Sequence, residues 1–539
     1  MTLFRVALKQ QTVGLIAMVI GGVLGGVLNA LAFVQLAGAT EPERAAFAQQ
    51  MAVLGAQLSY MLPAPVRLDT LGGYLEWRLF GLMALVFGVW AAISASGSGR
   101  GDEERGLVEQ WIAAGISRAR YLVSRVAVFA AIAVVVIGAM LGLILLSARG
   151  EPLAAADLLA MGVNLFATTL CCFGIALLIA QLVATRRNAA GTTAGVLIAL
   201  FLVNGAGRTS DVGPIRWLSP FYLFERSRPL TGAGALDPIG VGVLLGAAAI
   251  LTAVGVVAFA RRDLGGTALP RRTDRHRVTR SPSVDPLLRL PVIAPLRQQI
   301  DWVASWLIAF VALSGFMISI TRSIVDALTS SAVPFLRAYF ERAGLNAYDA
   351  FVGIIWLSTA TLLLSIYAIT QVASWSADDA EGRLATMLSA PISRTRVIVE
   401  RLATLLVAVA LIAAASSVAV YVAAARQDIP LDRGRVALAA TLLLTIPFAF
   451  GSIGQLVAVW RPRIAVVALS AVAVFSYLVQ QFAPLFGWPD WVANLSLYTL
   501  YGTPMSGEVK WSGVAGLVGI GVVASILSIA ALRRRDVGA

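Results

Sequence analysis

Apolar runs of about twenty residues or more recur along the whole chain, separated by shorter polar segments. A bilayer core of about 30 Å takes roughly 20 apolar residues per helix, and by that measure the runs predict twelve spans. The first six cover about 13–35, 78–97, 126–147, 158–184, 189–206 and 239–260. The second six cover about 302–321, 350–374, 402–424, 436–460, 464–483 and 513–532. No ionisable residue falls in the interior of any of them. The runs are continuous rather than alternating and too long for barrel strands. The first exceeds the ~7–15 residues of a secretory h-region, so it reads as a retained helix. The pattern predicts an all-α polytopic membrane protein.

Composition narrows the chemistry. Apolar residues make up 58% of the 539 and charged residues 13%, against about 25% charged in an ordinary soluble domain. So little charge could not cover a surface in water. The single histidine, His276, would have to carry any Ser-His-Asp triad or His-rich metal site alone. Cys171 and Cys172 are adjacent within an apolar run and read as core packing, not as a staple.

The net charge of +13 is explained by orientation. With the N-terminus inside, the inner segments hold Arg5 and Lys9, five arginines from Arg100 to Arg125, then Arg186 and Arg187. They also hold nine arginines from Arg261 to Arg297, four from Arg383 to Arg401, Arg461 and Arg463, and Arg533 to Arg535. The positive-inside rule then puts both termini in the cytoplasm of a cell whose plasma membrane the chain crosses. The basic balance is lipid-facing, and no nucleic-acid partner is expected. The basic run 271–281, "RRTDRHRVTRS", reads as a linker lying near anionic lipid.

The two halves repeat each other. "DEERGLVEQWIAAGISRARYLVSR" at 102–125 aligns without a gap with "DDAEGRLATMLSAPISRTRVIVER" at 378–401. Gly106 matches Gly382, Ile116-Ser117-Arg118 matches Ile392-Ser393-Arg394, and Arg125 matches Arg401. Weaker echoes keep the same order: "LKQQ" at 8–11 with "LRQQ" at 296–299, "QLVA" at 181–184 and 455–458, and "LSPFYLF" at 218–224 with "LSLYTLY" at 495–501. The expected organisation is a six-helix half at 1–261, a basic linker with the second elbow helix at 262–299, and a second six-helix half at 300–539, in parallel topology.

Within the repeated loop Leu107, Val108, Trp111 and Ile112 share one helical face, with Glu104, Arg105 and Glu109 elsewhere on the wheel. Leu384, Met387 and Leu388 form the matching stripe. Gly106 and Gly382 stand at the start of each short helix, and Gly115 and Pro391 end it. Two amphipathic helices at equivalent places suit either an interfacial position on lipid or two docking points for a cytosolic partner.

At these residues the chain resembles permease subunits of type-2 ABC exporters, in which such a loop forms the coupling helix that contacts the ATPase. "PISR" at 391–394 is the closer match, with Gly115 replacing the proline in the first copy. "RVALKQQ" and "LLRLPVIAPLRQQ" resemble the elbow helices before each half, and "WLSPFYLF" at 217–224 resembles the outer re-entrant segment. The fused layout resembles the actinobacterial exporters of polyketide antibiotics. The resemblance implies partner contacts through Glu104, Gly106, Glu109, Trp111, Gly115, Ile116, Ser117 and Arg118. In the second copy it implies Glu381, Gly382, Met387, Pro391, Ile392, Ser393 and Arg394. It also implies two copies of a cytosolic ABC ATPase, antibiotic or drug substrates, and a role in multidrug efflux and antibiotic resistance.

A Walker A loop needs a lysine to reach the phosphates. The chain has only Lys9 and Lys510, and Lys510 is followed by Trp511. No cofactor is therefore expected on this chain, with ATP and Mg held by the partner ATPase. The rival reading is a twelve-helix ion-coupled multidrug carrier, but such carriers generally keep carboxylates at membrane depth. Here Glu76, Arg78 and Asp349 only border spans. A lipid-modifying enzyme would want a catalytic base to match the carboxylates of the acidic loops, and those loops supply none. Polar residues at depth are few: Asn29, Asn164, Asn204, Gln480 and Gln481. They are the candidates for lining a substrate path, which suits hydrophobic or amphiphilic molecules.

Overall fold

The computed structural model describes residues 2–57, 63–148, 150–209, 213–232, 235–268, 292–330, 347–380, 382–483, 486–505 and 508–535. Glu381, His276 and the 271–281 basic run lie outside these residues. The chain separates into two compact units, Met1–Arg277 and Val278–Ala539.

In the first unit α1 (Thr2–Ala37) is followed by α2 (Glu41–Gln57) and then by α3, which runs from Leu71 to Glu104 with π turns at Glu76–Phe80 and Gly97–Gly101. A short helix, α4 (Leu107–Ala113), leads into α5 (Arg118–Ser147), α6 (Ala155–Leu182) and α7 (Arg186–Thr209). The half closes with the short α8 (Pro220–Glu225) and with α9 (Pro238–Arg261). Pro238 at the first helical position and Asp237, whose Oδ1 accepts from the Ile239 amide at 3.1 Å, start α9 sharply.

The second unit repeats that order. The short α10 (Ile293–Gln298) and α11 (Ile300–Ser330) precede α12 (Ser358–Ala380), which is entered through Ala347–Val352 and a π turn at Gly353–Leu357. Then come the short α13 (Arg383–Leu388), α14 (Arg394–Arg426), α15 (Arg433–Trp460) and α16 (Pro462–Phe482). The half ends in α17 (Asp490–Ala493), a two-residue hairpin pairing Gly502–Thr503 with Glu508–Val509, and α18 (Trp511–Arg534). In each half the same long helices pack: first on third, second on fourth, and fourth on sixth.

The molecule is an all-α polytopic membrane protein. Eleven helices among the described residues are long and apolar enough to cross a bilayer. The expected seventh span differs: its apolar stretch within α11 is Trp302–Ile318, about 25 Å long at 1.5 Å per residue. The second span is longer than its apolar run predicts, because α3 continues through Arg100, Asp102 and Glu103. Those charges fold onto neighbouring groups, so the helix has no reason to stop at the last apolar residue.

The cores differ in kind. The first holds an aromatic column joining α3, α5 and α6: Trp90 lies 4.8 Å from Phe129, which stacks at 4.3 Å on Phe173 (centroid distances). Cys171 and Cys172 are buried and not disulfide-bonded, as packing residues. The second holds a hydroxyl knot, with Ser314 and Ser416 at 2.6 Å and the Trp356 indole donating to both at 3.1 Å. In lipid, where apolar burial drives little association, such packing and hydrogen bonds hold helices together. Large side chains such as Leu146, Ile250, Val418 and Ile526 stay exposed, as lipid-facing positions should.

One close approach yields a prediction. A β-carbon at Gly513, in the first turn of α18, would overlap the Leu500 carbonyl oxygen. Backbone cannot yield there as a flexible side chain could. Gly513→Ala is expected to abolish recovery of folded protein from membranes, read by size-exclusion profile after detergent extraction.

Candidate functional site

The repeated loop builds an equivalent corner at the basic end of each unit. Gly106 and Gly382 precede α4 and α13 with φ of +68° and +74°, a left-handed conformation open to glycine at little cost. Val108 and Leu384 are buried and anchor the short helices. Trp111, Ile112 and Ile116 pack half-buried on the first core, and Leu388 and Ile392 on the second. Met387 does not join this stripe: it is exposed. With α13 only six residues long, the face through Leu384 and Leu388 is filled and Met387 is turned away from it. Glu104 and Glu109 are also exposed.

The helices end differently. Gly115, with φ +83°, closes α4 in a Schellman turn, in which the Gly115 amide donates to Ile112 O at 2.9 Å and the Ile116 amide to Trp111 O at 3.1 Å. Pro391 has no N–H and cannot make the equivalent bond. The chain leaves α13 instead through an Ile392 amide bond to Ala390 O at 2.6 Å.

The Ile-Ser-Arg triplets act locally in the same way. Ser117 Oγ accepts from the Arg120 amide at 3.3 Å and Ser393 Oγ from the Arg396 amide at 3.2 Å, capping α5 and α14. Arg118 donates to Arg262 O at 2.6 Å, just past the end of α9. Arg394 donates to Leu532 O, Arg533 O and Arg535 O at 2.8, 3.0 and 2.8 Å, at the end of α18. Each arginine therefore fastens the corner to its half's last helix.

Behind each corner lies an ionic cluster that the sequence pattern does not single out, buried in the first half and partly exposed in the second. In the first, Glu103 receives Arg262 on both oxygens at 2.8 and 2.5 Å, Arg100 at 3.2 Å and the Gly265 amide at 2.5 Å. Asp102 takes Arg105 at 2.7 Å, Arg125 at 2.8 Å and the Tyr121 hydroxyl at 2.7 Å. In the second, Asp379 pairs with Arg535 at 2.5 Å, while Asp378 pairs with Arg383 at 2.9 Å and Arg401 at 3.6 Å. Asp102 with Arg125 and Asp378 with Arg401 stand at one constant offset. Those matches carry a signal for the cluster, but the long-range partners Arg262 and Arg535 lie outside the repeated loop.

The polar residues at depth are placed as follows. Asn29 donates to Gly25 O in its own helix at 2.7 Å. Asn164 donates to Phe224 O at 2.7 Å, tying α6 to α8. Asn204 donates to Glu225 Oε1 at 2.8 Å, and Glu225 is also paired with Arg208. Gln481 is exposed and donates to the Tyr477 hydroxyl at 3.2 Å, while Gln480 Oε1 is buried without a partner among the described residues. Of the charges expected at span borders, Glu76 lies inside α3, five residues from its start, and accepts from the Leu230 amide at 3.0 Å. Asp349 proves buried, 3.8 Å from Arg435, and burial raises its carboxyl above the ordinary value. At the far end the echo at 218–224 and 495–501 has a structural counterpart. Ser219 donates to Leu200 O at 2.8 Å and Ser496 to Ser476 O at 2.7 Å, each fastening its segment to the half's fifth helix.

Two family matches cover successive halves. Residues 8–264 match the family described as ABC-2 family transporter protein. Residues 288–533 match the one described as Multidrug efflux system permease Rv1217c, C-terminal domain. The chain is an ABC-2 type permease. Among curated proteins no relative matches it. An ABC-2 permease is the membrane-spanning component of its transporter, generally without catalysis of its own, and works with an ABC ATPase partner. In this permease the second unit, matched by the multidrug efflux domain, carries the Pro391 form of the corner.

Proposed function

We propose that the permease exports hydrophobic or amphiphilic compounds of the antibiotic and drug class. Two copies of a cytosolic ABC ATPase would drive it by docking on α4 and α13, with both termini cytoplasmic in the plasma membrane. The observation that carries the reading is the paired corner: an exposed short helix in each half, mounted through ion pairs on that half's transmembrane helices. A force applied at either helix reaches the second, third and last helices of its half directly. ATP and Mg belong to the ATPase in this reading, and Glu104, Glu109 and Met387 offer the exposed side chains. Glu104 Oε1 also accepts the Arg186 amide at 2.6 Å, which fixes one oxygen and leaves the carboxylate at the surface. The substrate class is supported by the scarcity of charge at membrane depth and by the name of the family matched by the second half.

The test is co-purification of the full permease with its ATPase. A fully buried apolar anchor is worth ~2 kcal/mol or more at an interface, so Met387→Glu is expected to weaken ATPase capture about thirty-fold. Membrane expression should be unchanged, because the side chain is already exposed. Ion-gradient-driven transport by the permease alone would overturn the reading.

A further inference from the structure

We propose that Arg535 is a two-position residue: it leaves Val459 and Asp379 for Gln455 as the C-terminal half works, while Arg262 in the N-terminal half stays fixed on Gln181. The proposal rests on the reading of α13 as a docking helix and adds a moving part to its mount.

The two corners show one device in two arrangements. Arg262 and Arg535 each follow the last helix of their half, and each pairs with the second acid of the repeated loop. Gln181 and Gln455 each begin a "QLVA" near the end of the fourth helix. In the first half the amide is satisfied: Gln181 Nε2 donates to Leu177 O at 2.9 Å, and Oε1 accepts from Arg262 Nε at 3.0 Å. In the second half Gln455 is 2% exposed, and neither Oε1 nor Nε2 has a partner among the described residues. Buried amides are rarely left so.

The missing donor is close by. Arg535 Nη1 donates to Val459 O at 2.9 Å, and Val459 lies one helical turn beyond Gln455 on α15. A shift of about 5.4 Å along that helix would bring the guanidinium level with the amide. Arg535 has the freedom to make it, since its side chain is 34% exposed, against 3% for Arg262. The N-terminal corner is also braced by Arg100, which donates to Ala180 O, Glu103 and Gly266 O. At the equivalent position in the second repeat stands Ser376, whose buried Oγ has no partner among the described residues. One corner is locked and the other has an unused bonding site within reach.

The test has two arms. In the purified full permease, Gln455→Glu is expected to raise the melting temperature, because Arg535 then meets a carboxylate. That gain should vanish in an Arg535→Ala background. A double-mutant cycle without coupling between the two positions overturns the proposal, and this arm needs no ATPase, so it is independent of the docking reading. In the assembled complex, Gln455→Leu is expected to leave stability and captured ATPase at wild-type levels. Its kcat for substrate-stimulated ATP hydrolysis should fall about ten-fold with KM for ATP unchanged, as loss of one state of a two-state element requires. Wild-type kcat in that variant also overturns the proposal. If the ATPase instead binds equally well without α13, it is the docking reading that fails, and the first arm still decides the position of Arg535.

Discussion

Arg262→Ala is expected to destabilise the N-terminal half by about 3–5 kcal/mol, the cost of stripping one partner from a buried ion pair. Glu103 would keep Arg100 and the Gly265 amide but lose the bidentate contact that neutralises it. Both side chains are almost wholly buried, at 3% and 4% exposure, so water cannot replace the lost charge. Gln181 Oε1 would lose its donor as well. Arg535→Ala provides the internal comparison. Its side chain is a third exposed, and a pair that water reaches is worth only about 0–1 kcal/mol. Thermal unfolding of the two variants in detergent should therefore separate clearly. Equal shifts would show that the first cluster is not the more deeply held of the two.

The second large effect is expected at Arg394. Arg394→Ala removes hydrogen bonds to three carbonyls at the end of α18, whereas Arg118→Ala removes one at the end of α9. A hydrogen bond to a charged group is worth about 1.5–3 kcal/mol, and the three share one guanidinium, so the losses do not add. Substrate-stimulated ATP hydrolysis by the assembled transporter should fall on the order of thirty-fold for Arg394→Ala, and several-fold less for Arg118→Ala. The first corner has the buried Arg100 and Arg262 cluster in reserve, which the second lacks among the described residues. Equal losses in the two variants would remove the functional asymmetry between the halves.

Much of this architecture is legible from the chain. Continuous apolar runs predict helices at every span, because a backbone in lipid must satisfy its own hydrogen bonds. The repeat of Gly, Ser and Arg at fixed spacing marks the corners, since each residue type serves the backbone locally. Glycine makes the left-handed turn, serine the cap and arginine the carbonyl clamp. The stripe on α13 fails at Met387, because a six-residue helix presents too little surface for periodicity to decide which positions are covered. The length of α3 escapes the pattern for a different reason. Apolar count ends a span at the last uncharged residue, but Asp102 and Glu103 are neutralised by arginines and let the helix run on.

What the sequence by itself determined is local and periodic: the helical spans, their duplication and the glycine turns. What only the tertiary structure decided is which distant charges meet. Arg262 and Arg535 read as a linker residue and a tail residue until folding brings them back against Glu103 and Asp379. The physical reason is that an ion pair depends on distance in space, not along the chain. The same holds for Gln181 and Gln455, each opening the same "QLVA" yet satisfied in one half and, among the described residues, unpaired in the other.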